Sequence, residues 1–340
     1  MCGILLAMLR YFQRELFFYS SVSAIRKVRV SKSRKKMIGL ARSQVCRYSS
    51  VNFTMQSSST AKLIILEGNI GVGKTTLACQ LARKLDYKLF LEPTTKNPYL
   101  AKFYEDPKRY ALKLQLWIFR QRFRMYIKAA KHLLETGQGV LLDRSVFSDC
   151  VFADVNFQEG SISEEGYQYY NELKTKALRA VPVPHILIYI DASPETCNER
   201  IHGRGRDFEG GIPLAYLRGL DKAYKNMLNE MRSHDCKVLV YDWSDFGYQH
   251  EVSKDVKNTD SMKWQQDTLT RFAEVISDKS RLNQVLNLDY TIPEAEFTDV
   301  TDEECDTLQA EEHRGHKLET ARKIVKQMKQ IKESVIVTSE

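Results

Sequence analysis

Five short apolar runs punctuate the chain, at residues 62–67, 88–91, 139–143, 185–190 and 236–241. Their residues are aliphatic or β-branched and do not alternate with polar ones as a half-exposed strand would. That pattern predicts central strands buried on both faces. Longer stretches of helical period separate them. Strands alternating with helices predict an α/β fold: a five-stranded parallel sheet with right-handed crossovers, flanked by helices in three layers.

The longest helical signal opens at Asp106-Pro107, an N-cap followed by proline at the first helical position. Its apolar stripe is Leu112, Leu116, Phe119, Phe123, Tyr126, Ala130 and Leu134, and Gly137 ends it. Further helices are predicted over about 163–179 and 213–232. From about residue 245 the character changes. Residues 294–312 are acidic with few apolar groups, which predicts an extended segment. Residues 315–335 are Lys-rich with Leu318, Ile324, Val325, Met328 and Ile331, which predicts a solvated helix or docking element. The expected organisation is a leader over 1–60, a catalytic domain over 61–245 and an extension over 246–340.

The chain has 340 residues, 43% of them hydrophobic, enough for a real core. The net charge of +8 is uneven: residues 1–60 hold eleven Lys/Arg against Glu15 alone, and residues 61–340 carry −2. The main body is therefore near neutral and does not read as a nucleic-acid binder. The basic, Ser-rich, acid-poor start is the composition of a mitochondrial transit peptide, with a matrix location to match. A secretory signal and a basic tail are the competing readings. The apolar run at 2–9 is too short to span a membrane, and no transmembrane segment is expected. Seven scattered cysteines, Cys2, Cys46, Cys79, Cys150, Cys197, Cys236 and Cys305, form no C-x-x-C pair. They predict reduced thiols.

The chemistry is carried first by Gly68-Asn69-Ile70-Gly71-Val72-Gly73-Lys74-Thr75-Thr76, a G-x-x-x-x-G-K-T phosphate loop. It follows the apolar run Leu63-Leu66 and precedes a helical pattern at Leu77, Leu81 and Leu85. Glycines let several N–H groups turn to one phosphate at a helix N-terminus. Lys74 would reach the outer phosphates of ATP, and the Thr75 hydroxyl would hold Mg²⁺.

Three more groups fall where a phosphotransferase needs them. Glu92-Pro93 follows the second strand, at the edge where α/β sheets bind ligands, which suits a general base. Asp143-Arg144-Ser145 follows the third: the acid can order Mg²⁺, and the arginine can neutralise charge on the phosphoryl group. Arg200, Arg204 and Arg206, interleaved with Gly203 and Gly205, read as a lid closing cations over triphosphate.

Together these residues closely resemble the deoxynucleoside kinase family, the group that includes deoxycytidine and deoxyguanosine kinases. The resemblance spans about 62–242. It is most specific at Glu92-Pro93, at Tyr104-Glu105-Asp106-Pro107-Lys108-Arg109-Tyr110 leading to Gln115, at Asp143 to Asp149, at Ser193 to Cys197, and at Gly211-Ile212-Pro213-Leu214. It implies the three-layer P-loop kinase fold, ATP as donor, and transfer to a deoxynucleoside 5′-hydroxyl. By resemblance, Glu92 is the base on that hydroxyl and Arg144 its partner. Tyr104 and Glu209 hold the 3′-hydroxyl. Gln115 reads the nucleobase, and Arg122 with Asp149 marks members that accept amino-bearing bases. Gln115 and Arg122 are seven residues apart, so they share one helix face beside Ile118 and Phe119.

Two departures accompany the resemblance. The family usually has Glu where Asp143 stands, though bacterial relatives have Asp. The tail at Val285-Leu286-Asn287 and Tyr290-Thr291-Ile292-Pro293-Glu294, with Thr136 to Val140 and Tyr241-Asp242-Trp243, resembles the accessory 42-kilodalton subunit of respiratory complex I, which has the same fold. Two functions are thus expected, a kinase of deoxyadenosine, deoxyguanosine or deoxycytidine type and a structural subunit. A homodimer and complex I are the partners left open. A nucleoside monophosphate kinase is the weaker third reading, because Glu92, Tyr104 and Gln115 suit a neutral sugar rather than an acceptor phosphate.

Overall fold

The structure is a computed structural model that describes residues 61–92, 97–205, 211–260 and 262–278, with 282 and 285. The leader, Arg206, Glu209, the acidic run 294–312 and the basic run 315–335 lie outside the described residues.

Five strands form one parallel sheet: β1 (Leu63–Glu67), β2 (Lys88–Phe90), β3 (Val140–Asp143), β4 (Ile186–Asp191) and β5 (Lys237–Asp242). Their order is β2-β3-β1-β4-β5. Successive crossovers run to one side of β1 and then to the other, which opens a crevice at the carboxyl end of β1. Leu66 pairs with Asp143 on one side and Ile188 on the other, so Asp143 ends β3 level with Leu66, one residue short of Glu67.

β1 is buried along its whole length, as its apolar run predicts. β2 and β5 correct the expectation of five central strands. Both are edge strands, only Leu89 of β2 is buried, and Val240 of β5 is 46% exposed. An apolar run of strand length does not say how many neighbours it will have.

Nine described helices cover the sheet: α1 (Lys74–Leu85), α2 (Leu100–Glu105), α3 (Pro107–Thr136), α4 (Asp149–Gln158), α5 (Glu164–Leu178), α6 (Pro194–Arg204), α7 (Leu214–Ser233), α8 (Gln249–Asn258) and α9 (Gln266–Ser277). The caps of α3 are those the sequence predicts. The Asp106 side chain accepts from Arg109 N, and Gly137 closes the helix at φ 69°. Its burial differs from the predicted stripe. Phe119, Phe123, Tyr126 and Ala130 are in the core, but Gln115, Arg120, Gln121, Arg122 and Arg124 are buried as well. The middle of α3 is enclosed on several sides, and its polar face points into the protein rather than into water.

The helices after residue 245 join the same core through Val252, Val256, Phe272 and Val275. Trp264 Nε1 donates to Val183 O at 2.8 Å, and its ring stacks on His185 at 4.6 Å. Cys150, Cys197 and Cys236 are free and buried, and Cys2, Cys46 and Cys305 lie outside the described residues. No described helix is long and apolar enough to cross a membrane.

Candidate active site

The phosphate loop joins β1 to α1 in the predicted strand–loop–helix setting. Gly68, Gly71 and Gly73 have φ 153°, 79° and 103°. A Cβ on Gly68 would lie 2.6 Å from Ile190 O, and one on Gly71 would lie 2.7 Å from Cys197 O. β4 and α6 therefore press against the loop closely enough to require glycine. Asn69 ties the loop down: Oδ1 accepts from Ile70 N at 2.8 Å, and Nδ2 donates to Leu217 O of α7 at 2.9 Å. Lys74 Nζ reaches back to Asn69 O at 2.7 Å. Burial, with Arg144 nearby, lowers its ammonium to about 7. The first turn of α1 has neither an acidic residue nor a side-chain cap, so its N–H groups remain for an anion.

Thr75 Oγ1 donates to Asp143 Oδ2 at 2.6 Å. Asp143 Oδ1 is buried without a hydrogen-bond partner, and burial raises this carboxyl. A hydroxyl beside an incompletely satisfied carboxylate is a hard oxygen pair that fits Mg²⁺. Among the described residues no group of three or more His, Cys, Asp or Glu could hold a metal. A cation at Thr75 and Asp143 would therefore complete its shell with phosphate oxygens and water.

Glu92 lies just past β2 between two guanidinium groups. Arg122 Nε and Nη2 donate to its Oε1 at 2.9 and 2.5 Å, and Arg144 Nε meets its Oε2 at 3.2 Å. Burial alone would raise this carboxyl, but Arg122 and Arg144 outweigh it and hold it below the usual carboxylate range. The other end of Arg122 pairs with Asp149, Nη1 to Oδ1, at 3.0 Å. Asp149 Oδ2 accepts from Gln115 Nε2 at 2.6 Å and from the Tyr170 hydroxyl at 2.9 Å. Burial pushes the Asp149 carboxyl up to about 6 against the pull of Arg122. The predicted residues Gln115, Arg122, Asp149, Glu92 and Arg144 thus form one continuous polar chain.

Arg144 has φ 65°, and its Nη1 donates to Gly68 O at 3.2 Å and to the Tyr224 hydroxyl. Both Arg122 and Arg144 lie over the Phe152 ring, at 5.2 and 5.0 Å from its centroid. Glu67, fully buried below the loop, accepts from Ser145 Oγ at 2.9 Å, and burial pushes it up to about 7.

Sequence reasoning missed Glu67, Phe152, Tyr170 and Tyr224. Glu67 had a readable signal, as a carboxylate directly before Gly68. The three aromatics fall in helical apolar periodicity and look like ordinary core.

The remaining predicted residues are placed differently. Tyr104, on α2, is half-buried and packs on Phe103 with ring centroids 5.3 Å apart; its expected partner Glu209 lies outside the described residues. Arg200 was expected in a mobile lid. Instead it is buried, with Nη1 on Val72 O at 3.3 Å, Nη2 on Ser244 O at 2.7 Å, and its guanidinium 3.7 Å from the Phe246 ring centroid. Arg204 ends α6. The turn after β5 also covers the phosphate loop: a Cβ on Gly73 would lie 3.2 Å from Phe246 and 3.5 Å from Trp243.

Sheet order, crevice and loop place the chain in the class of P-loop kinase folds. Within that class it belongs to the deoxynucleoside kinase family, whose sequence profile matches residues 64–264. A deoxyguanosine kinase of Dictyostelium discoideum is 43% identical over 234 residues, 69% of this chain and 82% of that protein. A Bos taurus protein, NADH dehydrogenase (ubiquinone) 1 alpha subcomplex subunit 10, mitochondrial, is 34% identical over 209 residues, 55% of this chain. The chain spans only 61% of that bovine protein. Among solved structures, the deoxyadenosine kinase of M. mycoides with products dCMP and dCDP aligns at TM-score 0.51 and 27% identity, covering 57% of this chain and 96% of that one.

Proposed function

We propose that this protein transfers the γ-phosphoryl group of ATP to the 5′-hydroxyl of a deoxynucleoside. The observation that carries the reading is Glu92: an ionised carboxylate, fixed by two arginines, beside a complete phosphate loop. In the reaction Glu92 takes the proton of the 5′-hydroxyl. The hydroxyl oxygen forms a bond to the γ-phosphorus while the bond to the β–γ bridging oxygen breaks, and ADP leaves. Arg144 lies at the base and bears the positive charge that the transferring group needs. Lys74 exchanges its bond to Asn69 O for a phosphate oxygen. Thr75 and Asp143 would hold Mg²⁺, which supplies charge neutralisation to the triphosphate.

The acceptor's base is read by Gln115, Arg122 and Asp149 with the Phe152 face beside them, and its 3′-hydroxyl by Tyr104 and Glu209. The Arg122–Asp149 pair supports deoxyadenosine, deoxyguanosine or deoxycytidine over thymidine, and the Dictyostelium relative supports testing deoxyguanosine first. The basic leader composition supports a mitochondrial matrix location. Purified protein should consume ATP only when a deoxynucleoside is present. Glu92→Gln should lower turnover by about 10²–10⁴-fold and spare ATP binding in calorimetry. Undiminished turnover in that variant would refute the base.

A second reading, an accessory subunit of complex I, is favoured by the bovine relative and the tail resemblance. Comigration with complex I on native gels supports it. A purely low-mass pool counts against it. The two roles are compatible.

A further inference from the structure

Arg144 is gripped by three acceptors, and one of them has no assigned role. Its backbone lies at φ 65°, which a non-glycine residue keeps only where its surroundings over-determine it. Nε meets Glu92 Oε2, and Nη1 donates to Gly68 O and to the Tyr224 hydroxyl. Both Nη1 donors are thereby committed, and Nε is held in an ion-pair contact. Among the described residues, the two on Nη2 have no protein acceptor.

Tyr224 comes from α7 and is fully buried. Its ring stands edge-on to Phe152 at 6.4 Å and leans on Tyr189 at 5.5 Å. Burial raises the phenol's pKa, so its oxygen is a neutral acceptor. A carboxylate there would orient the guanidinium but also cancel its charge. A neutral oxygen orients it without adding a second negative charge to the one Glu92 already presents.

We propose that Tyr224 is a positioning residue for phosphoryl transfer, whose hydroxyl fixes the Arg144 guanidinium so that Nη2 faces the reacting oxygens beside Glu92. This role rests on the kinase reading above. It gives α7 two holds on the site, since Leu217 O of the same helix anchors Asn69 of the phosphate loop.

Tyr224→Phe keeps the ring and its packing and removes only the oxygen. Its kcat should fall about 10- to 100-fold, the scale of a small misplacement of a charged group. KM for ATP and for the deoxynucleoside should stay within about twofold, and the melting curve should remain cooperative. In an Arg144→Gln background, adding Tyr224→Phe should change kcat by less than about twofold, because the hydroxyl acts only through the guanidinium. A kcat near wild type in Tyr224→Phe, or additive losses in the double variant, would overturn the proposal. So would loss of the fold in Tyr224→Phe, which would show the hydroxyl holding structure rather than geometry. A wild-type chain that phosphorylates no deoxynucleoside overturns the kinase reading and this role together. An active wild type with an unaffected variant overturns this role alone.

Discussion

Replacing Arg122 by Met tests the centre of the site, because this one side chain neutralises two acids. Its guanidinium is 2% exposed, Asp149 is 0% exposed and Glu92 is 16% exposed. Methionine fills most of the volume but leaves Asp149 with only Gln115 and Tyr170 as side-chain donors, and Glu92 with Arg144 alone. Removing one partner of a buried ion pair costs about 3–5 kcal/mol. At a urea slope of about 2–3 kcal/mol per molar, the midpoint should drop by about 1–2 M.

Adding Asp149→Asn removes the stranded charge and should recover at least half of that loss. The pH profile gives a second reading. Arg122 helps to hold the Glu92 carboxyl down, so its removal raises that carboxyl toward the ordinary range. The ionised form is the base, so the acid limb of kcat/KM should move to higher pH. A midpoint shift under about 0.3 M, or a double variant as damaged as the summed singles, would refute the reasoning.

Gly71→Ala should destabilise the fold by about 1–3 kcal/mol and weaken ATP binding at least tenfold, because the backbone is at φ 79° and the new Cβ meets Cys197 O; melting and calorimetry check both. His185 accepts from Leu63 N, and burial lowers its pKa to about 4, against an ordinary 6.5. Between those values the unfolded chain binds a proton that the folded protein refuses. Stability from this group is therefore intact above pH 6.5 and lost toward pH 4, by about 1.4 kcal/mol per pH unit within the window. Urea midpoints of wild type and His185→Asn, compared from pH 7 to 5, should converge as the pH falls; parallel curves would refute this. A chain ending at residue 245 discards Val252, Val256, Phe272 and Val275, each worth about 1.5–3 kcal/mol of burial. The sum is comparable to a whole domain's stability, so the truncated chain should show no cooperative melting by circular dichroism.

Local rules made much of this site legible. The phosphate loop and the caps of α3 rest on interactions within a few residues, and short-range steric and hydrogen-bonding rules suffice to read them; the five strands are marked by their apolar runs, although their pairing joins segments far apart in sequence. In the polar chain from Gln115 to Arg144, Glu92 and Arg144 were legible from their places at strand ends, whereas Gln115, Arg122 and Asp149 were approached only through the family resemblance. Spacing could place Gln115 and Arg122 on one helix face, but not say whether that face met water. The α3 cations are buried because other elements close over them, and Tyr170 and Tyr224 join the polar network because α5 and α7 bring them there. Arg200 looked like part of a mobile basic segment, yet it is fixed to main-chain oxygens of Val72 and Ser244, far apart in sequence.

By itself the sequence determined the strand–loop–helix cradle for phosphate, because glycine geometry and helix N-terminal N–H groups are properties of a few consecutive residues. Only the tertiary structure decided which carboxylates meet which guanidinium groups. It also decided that β2 and β5 are edges, and that the helices after residue 245 complete the core. Those outcomes depend on desolvation and on partners from distant segments, and both are set by how the layers pack.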